Sequence, residues 1–141
     1  MIILDTNVVS ALMRIVPETT LLDWLDRQPS SSIWTTSLTV MEIRYGFQIL
    51  PAGRRRELIT QTFETVLESK IEGRIAHFDT DAAEHTATLM AFRKKRGRPV
   101  ELTGTMIAGI VLSRNAVLAT RNTADFDDLG PRVIDPWNQK V

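Results

Sequence analysis

The sequence predicts an α/β fold: a three-layer sandwich in which a central, mainly parallel sheet of four to five strands carries helices on both faces. Three observations lead there. Short runs of strand-forming residues, beginning with Ile2, Ile3 and Leu4, suit strands buried on both sides. Between them lie longer stretches whose apolar residues recur at helical spacing. Runs and stretches alternate, so successive strands are joined by crossovers rather than hairpin turns, and the sheet is parallel.

Taken in order, Ile2–Leu4 is the first strand, and Asp5 ends it abruptly. Thr6 and Asn7 are turn and capping residues, so a helix follows over 8–13. Pro17-Glu18 opens a second helix, since proline suits a first helical turn; Leu21, Leu22, Trp24 and Leu25 form its apolar face. After the loop 28–32, Ile33–Thr36 reads as strand two. Ser37 or Thr39 caps the next helix, which carries Leu38, Val40, Ile43 and Phe47 until Pro51-Ala52-Gly53 breaks it. Residues 54–70 form an amphipathic helix with Leu58, Ile59, Phe63, Val66 and Leu67 on one face. A third strand over 75–78, containing His77, a helix over 80–96 and the loop Gly97-Arg98-Pro99 follow. Residues 102–112, apolar and rich in small side chains such as Ala108 and Gly109, predict a helix packed closely on the sheet. Residues 116–119 are a buried strand and Val133–Ile134 the last one. The 141 residues fit one domain, 1–141, without repeats or linkers.

Composition narrows the function. With 17 basic and 17 acidic residues the formal charge is zero, so no global field draws in nucleic acid and any such binding uses local patches. The absence of cysteine excludes disulfides and thiolate metal sites and suits a reducing cytoplasm. No apolar run approaches membrane-spanning length, and Met-Ile-Ile-Leu-Asp lacks the basic start of a secretion signal, so a cytoplasmic protein without a membrane partner is expected.

The candidate chemistry lies in the acids. Asp5 stands at the carboxyl end of a central strand, where open α/β sheets place their ligands, although helix capping explains it as well. Glu42 sits among mostly apolar neighbours, and a carboxylate close to a core needs a cation, a metal or solvent at the helix edge. Asn122 and Asp125 follow the strand over 116–119. Oxygen ligands without His or Cys favour a hard cation, Mg2+ or Mn2+, which acidifies water and offsets charge on a phosphodiester. One solvated acid per loop explains the same spacing, so the pattern alone leaves both readings open. A phosphatase of the haloacid dehalogenase type would want a second acid two residues after Asp5, where Asn7 stands.

The motifs go further. Leu-Asp-Thr-Asn at the start, Thr-Val-Met-Glu-Ile-Arg-Tyr-Gly, Thr-Met-Ile-Ala-Gly-Ile, Ala-Thr-Arg-Asn-Thr-Ala-Asp-Phe and the tail Arg-Val-Ile-Asp-Pro-Trp keep their order along essentially the whole chain. Together they resemble PIN-domain proteins, most closely the VapC and FitB-like toxins of type II toxin–antitoxin pairs. The resemblance implies a PIN-like sandwich and an endoribonuclease that depends on Mg2+ or Mn2+ and cleaves RNA, commonly tRNA or ribosomal RNA. It implies a homodimer, a VapB-type antitoxin partner that assembles with it as a dimer of dimers, and operator DNA contacted only through that antitoxin. Matched residue by residue, Asp5 and Glu42 take the places of metal ligands, and Asn122 and Asp125 lie in the catalytic loop. Thr6 and Thr120 take the places of hydroxyls that order the site.

One position departs from the family pattern. The place three residues before Ile107-Ala108, where the family carries a third acid, holds Gly104. Losing a carboxylate weakens attraction for a divalent cation, so cleavage by this chain is expected to be impaired. The alternative is a degenerate domain that only captures antitoxin and regulates its operon. Glu101 lies three residues earlier and could stand in for the missing acid if the helix already included it, but Pro99 places it in the loop rather than on the helix. Nearby, Arg93, Lys94, Lys95, Arg96 and Arg98 form a basic run suited to RNA phosphates, or equally to a helix C-terminus.

Overall fold

A computed structural model describes residues 1–139; residues 140 and 141, the end of the expected domain, lie outside the described residues. The chain folds as β1 (Ile2–Leu4), α1 (Thr6–Leu12), α2 (Thr19–Asp26), β2 (Ile33–Thr36), α3 (Ser37–Gln48), α4 (Arg54–Val66), β3 (Ile75–Ala76), α5 (Thr80–Lys95), α6 (Leu102–Ser113), β4 (Val117–Ala119) and β5 (Val133–Ile134). All the strands pair in parallel, in the order β3-β2-β1-β4-β5.

β1 is the middle strand, in register with both neighbours: Ile3 lies opposite Trp34 of β2 and Leu118 of β4. Its side chains alternate between two cores. Leu4 packs with Val8, Leu21, Phe47 and Phe63 beneath α1 to α4, while Ile3 packs with Leu89, Ile107 and Leu118 beneath α5 and α6. From β1 the chain builds outward to β2 and β3, then crosses to β4 and β5 on the other side. The direction of winding therefore switches between β1 and β4, and such a switch opens a crevice at the carboxyl ends of the strands. The N–H of Asp5 donates to the carbonyl of Ala119 at 2.9 Å, carrying the β1–β4 ladder one residue into that crevice.

Four features differ from the sequence expectation. β3 is only two residues long, and Phe78 leaves the ladder to donate its N–H to Ser37 Oγ at 3.3 Å, so His77 lies beyond the strand and is exposed. The helix expected over 54–70 ends its α-helical part at Val66 and finishes in one π-helical turn, Leu67–Ile71. Gly109 lets α6 approach α5, not the sheet: a Cβ there would overlap Thr86 Oγ1 and stand 2.8 Å from the Ala82 carbonyl. Residues Thr123–Arg132, for which the sequence suggested no element, form short 3-10 turns kinked at Phe126 and Gly130 that bury Phe126 and Leu129.

α5 ends on Gly97, which takes φ +71. The N–H groups of Gly97 and Arg98 then return to the carbonyls of Lys94 and Arg93, both at 3.0 Å, a closure that favours glycine at the left-handed position. Among the described residues no helix is long and apolar enough to cross a membrane.

Candidate active site

A cavity of about 510 Å3 opens at the carboxyl ends of β1 and β4, at the winding switch. β1 delivers Asp5, α3 delivers Glu42, the start of α6 delivers Glu101 and Gly104, and the segment after β4 delivers Asn122 and Asp125. Asp5 and Glu42 are thus brought to one space from positions 37 residues apart in sequence, because β1 and β2 are neighbours and each runs directly into a helix.

Asp5 is 6% exposed. Its carboxylate accepts from the N–H of Thr6 at 2.8 Å and the hydroxyl of Thr120 at 2.8 Å. It caps α1, as the helix-capping reading expected, and also lines the cavity. Burial pushes its carboxyl above the ordinary value, the hydrogen bonds from Thr120 and Thr6 oppose that, and the charges of Glu101 and Asp125 add to it. Thr6 joins the two acids: its N–H serves Asp5, and its hydroxyl donates to Glu42 Oε1 at 2.8 Å. Thr120, fully buried, also accepts the N–H of Asn122 at 3.0 Å and the amide of Asn7 at 3.1 Å. Asn122 and Asp125 stand exposed at the rim.

The basic run behaves less uniformly than its sequence suggests. Lys94, Lys95 and Arg96 are exposed. Arg93 is 4% exposed and is corrected from an RNA contact to a structural brace. Its guanidinium holds both oxygens of Asp128 at 2.7 and 2.9 Å, the Thr105 hydroxyl at 3.1 Å and the Asp125 carbonyl at 3.2 Å. Arg93 in turn holds the Asp128 carboxyl below the usual range. Arg98 lines the cavity but pairs with Asp127 at 2.6 Å and Asp128 at 3.4 Å.

The cavity's charge is therefore unbalanced. Asp5, Glu42, Glu101 and Asp125 line it, and among the described residues none of the four forms a salt bridge, while its arginines are engaged by Asp127 and Asp128. An all-oxygen, net-negative cavity fits a hard divalent cation. No three acidic or imidazole groups among the described residues form a ready cage for an ion.

Gly104 occupies the first turn of α6. Glu101 is that helix's N-cap, just outside it as Pro99 implied, yet its carboxylate folds back to accept the N–H groups of Thr103, at 3.2 Å, and Gly104. Three further residues escape a reading of the sequence. Asn7 has the look of a turn residue only, although it stands in the Leu-Asp-Thr-Asn motif; Thr39 backs Thr6 at 3.1 Å; Asp128 carries no local signal for its pairing with Arg93. His77 and His85 lie outside the cavity lining.

The model of the PIN domain matches residues 2–130. The chain belongs to the PIN-domain family. Among its relatives, this PIN domain is 35% identical over 137 residues to the VapC ribonuclease Y4jK of Sinorhizobium fredii, covering 97% of this chain and 98% of that one. It is 32% identical over 108 residues to the tRNA(fMet)-specific endonuclease VapC of Salmonella typhimurium, covering 77% of each. The crystal structure of FitAcB from Neisseria gonorrhoeae superposes with a TM-score of 0.87 at 29% identity, covering 99% of this chain and all of that one. Other solved structures of similar fold are FitAB and VapBC assemblies, some of them bound to DNA.

Proposed function

We propose that this PIN domain is the toxin of a type II toxin–antitoxin pair, an endoribonuclease dependent on Mg2+ or Mn2+ that cleaves tRNA or ribosomal RNA in the cytoplasm. The observation that carries this is the cavity at the winding switch, lined by four carboxylates of which none, among the described residues, forms a salt bridge. The names of its ribonuclease and tRNA endonuclease relatives support the choice of RNA.

When bound, a divalent ion there supplies charge against the scissile phosphodiester and a more acidic water. Asp5 and Glu42 would hold it, with Asn122 and Asp125 at the rim. Thr6 and Thr120 fix the two carboxylates by hydroxyl donation, so little reorganisation is needed. Burial at Asp5 lowers competition from solvent and strengthens its hold on a cation. Lys94, Lys95 and Arg96, exposed at the end of α5, and Arg98 at the cavity, once released from Asp127, would offer charge to RNA phosphates.

The antitoxin has a fitting surface. Met41 and Tyr45 on α3 and Ile49 just past its end recur every four residues and are 52%, 65% and 66% exposed, an apolar stripe beginning next to Glu42 in sequence. The FitAB and VapBC assemblies of similar fold, bound to DNA, support such a partner; with it the chain would form a homodimer, a dimer of dimers with antitoxin, and reach operator DNA only through the antitoxin.

The test is cleavage of purified tRNA and ribosomal RNA with Mn2+ or Mg2+. Expected is cleavage that EDTA and Asp5→Asn both abolish; cleavage indifferent to both overturns the reading. A second reading, a non-cleaving antitoxin-binding module, rests on Gly104 and is favoured if antitoxin binds while no RNA is cut under any metal.

A further inference from the structure

Gly104 has no side chain, yet the space a side chain would enter is filled. A Cβ on Gly104 would stand 2.5 Å from Oε2 of Glu101, with Glu101 Cδ and Phe126 Cζ each 3.7 Å away. The occupant is the Glu101 carboxylate, folded back over the first turn of α6 and lining the same cavity as Asp5 and Glu42. The longer glutamate side chain offsets its origin three residues earlier in the chain.

We infer that Glu101 supplies the carboxylate that Gly104 lacks, so the third acid of the cation site has moved from the first turn of α6 to its N-cap residue. This rests on the divalent-cation reading above. The two N–H bonds hold the carboxylate in place without exhausting it: a carboxylate offers about four acceptor positions, and those left over are free for an ion or its waters. Glycine at 104 is then a requirement of the arrangement rather than a defect, because any side chain there meets the carboxylate. The cavity keeps its number of acids; since no three of them among the described residues form a ready cage, an ion there would meet some of them through its own waters.

The experiment is Mn2+ titration calorimetry on the full chain, with circular dichroism to check folding. Glu101→Gln keeps an oxygen for one capping bond and is expected to weaken Mn2+ binding by about tenfold or more. Gly104→Asp is expected to change the parent chain little, since the new carboxylate displaces the old one, but to restore binding in the Glu101→Gln background. Gly104→Ala, which favours the helix, is expected to weaken Mn2+ binding by pushing Glu101 aside. If Glu101→Gln binds Mn2+ as tightly as the parent, and Gly104→Asp tightens both backgrounds equally, Glu101 is only a cap and the inference is overturned. If the parent binds no Mn2+ at all, the cation reading falls and takes this inference with it.

Discussion

Two groups of charge lie side by side at the carboxyl edge of the sheet, and they are built on opposite plans. In one, Arg93 meets both oxygens of Asp128, and Arg98 meets Asp127 and Asp128. Every charge there finds its counter-charge within the chain. In the other, Asp5, Glu42, Glu101 and Asp125 line a cavity, and the first three receive hydroxyl and N–H donors but, among the described residues, no salt bridge. Desolvating charge is costly, yet Asp5 is buried at 6% exposure with no basic partner among the described residues, while the chain pairs its buried Arg93 closely a few residues away. The paired group holds the 123–132 segment onto α5 and α6; the unpaired group waits for charge from outside.

Removing one partner of the paired group should give the largest effect on stability. Asp128→Asn leaves Arg93 buried without its counter-charge, which costs about 3–5 kcal/mol. Chemical denaturation at neutral pH measures it. The pH dependence follows from the direction of the shift. Asp128 titrates lower in the folded chain than the ordinary 3.8, because Arg93 bonds to its charged form. Near that pH the unfolded chain binds more protons, so the contribution is complete above the ordinary value and is lost as pH falls through the folded one. The gap between parent and Asp128→Asn should therefore close in acid, and a gap constant from pH 7 to pH 2 would break the comparison.

The contrast between the groups also explains what the sequence revealed. Asp5 and Glu42 were legible because a strand-end acid and an acid amid apolar residues are each odd locally. The layers were legible because Ile2–Leu4 and the helical stretches carry their periods within a few residues. Arg93 was not, since nothing in Arg-Lys-Lys-Arg says which cation turns inward; that depends on Asp128, 35 residues away, and on the kinked turns between them. Pro99 correctly kept Glu101 outside α6, yet its carboxylate returned to the cavity, because residue spacing does not encode where a capping side chain folds. The close approach at Gly109 was legible as small-residue packing, but its partner, α5, was not.

In the unpaired group the expected losses are of activity. Asp5→Asn should lower cleavage by about 100-fold or more, equivalent to roughly 2.7 kcal/mol at the transition state. It should leave the melting temperature at pH 7 unchanged or raised, because burial already disfavours the Asp5 charge and asparagine still caps α1. A variant that lost activity by unfolding would break the distinction between the groups. Thr120→Val is a gentler probe: it removes the hydroxyl that orients Asp5, and about a tenfold loss of cleavage is expected. Calorimetry should show that Mn2+ affinity falls with it, by a similar factor.

The smallest effect is expected where charge is neither paired nor buried. Lys94 and Lys95 lie exposed on the last turn of α5, where cations complement the helix dipole. Replacing both with alanine should cost at most about 1 kcal/mol of stability through the dipole. If they hold phosphates, the dependence of RNA affinity on salt should flatten by about 0.7–0.9 in log–log slope for each lysine–phosphate pair removed. Titrating catalytically silent Asp5→Asn protein with tRNA at several salt concentrations separates the two uses. An unchanged slope with a lowered melting temperature would make these lysines helix-end charges alone, and would confine the chain's dealings with RNA to the cavity and Arg98.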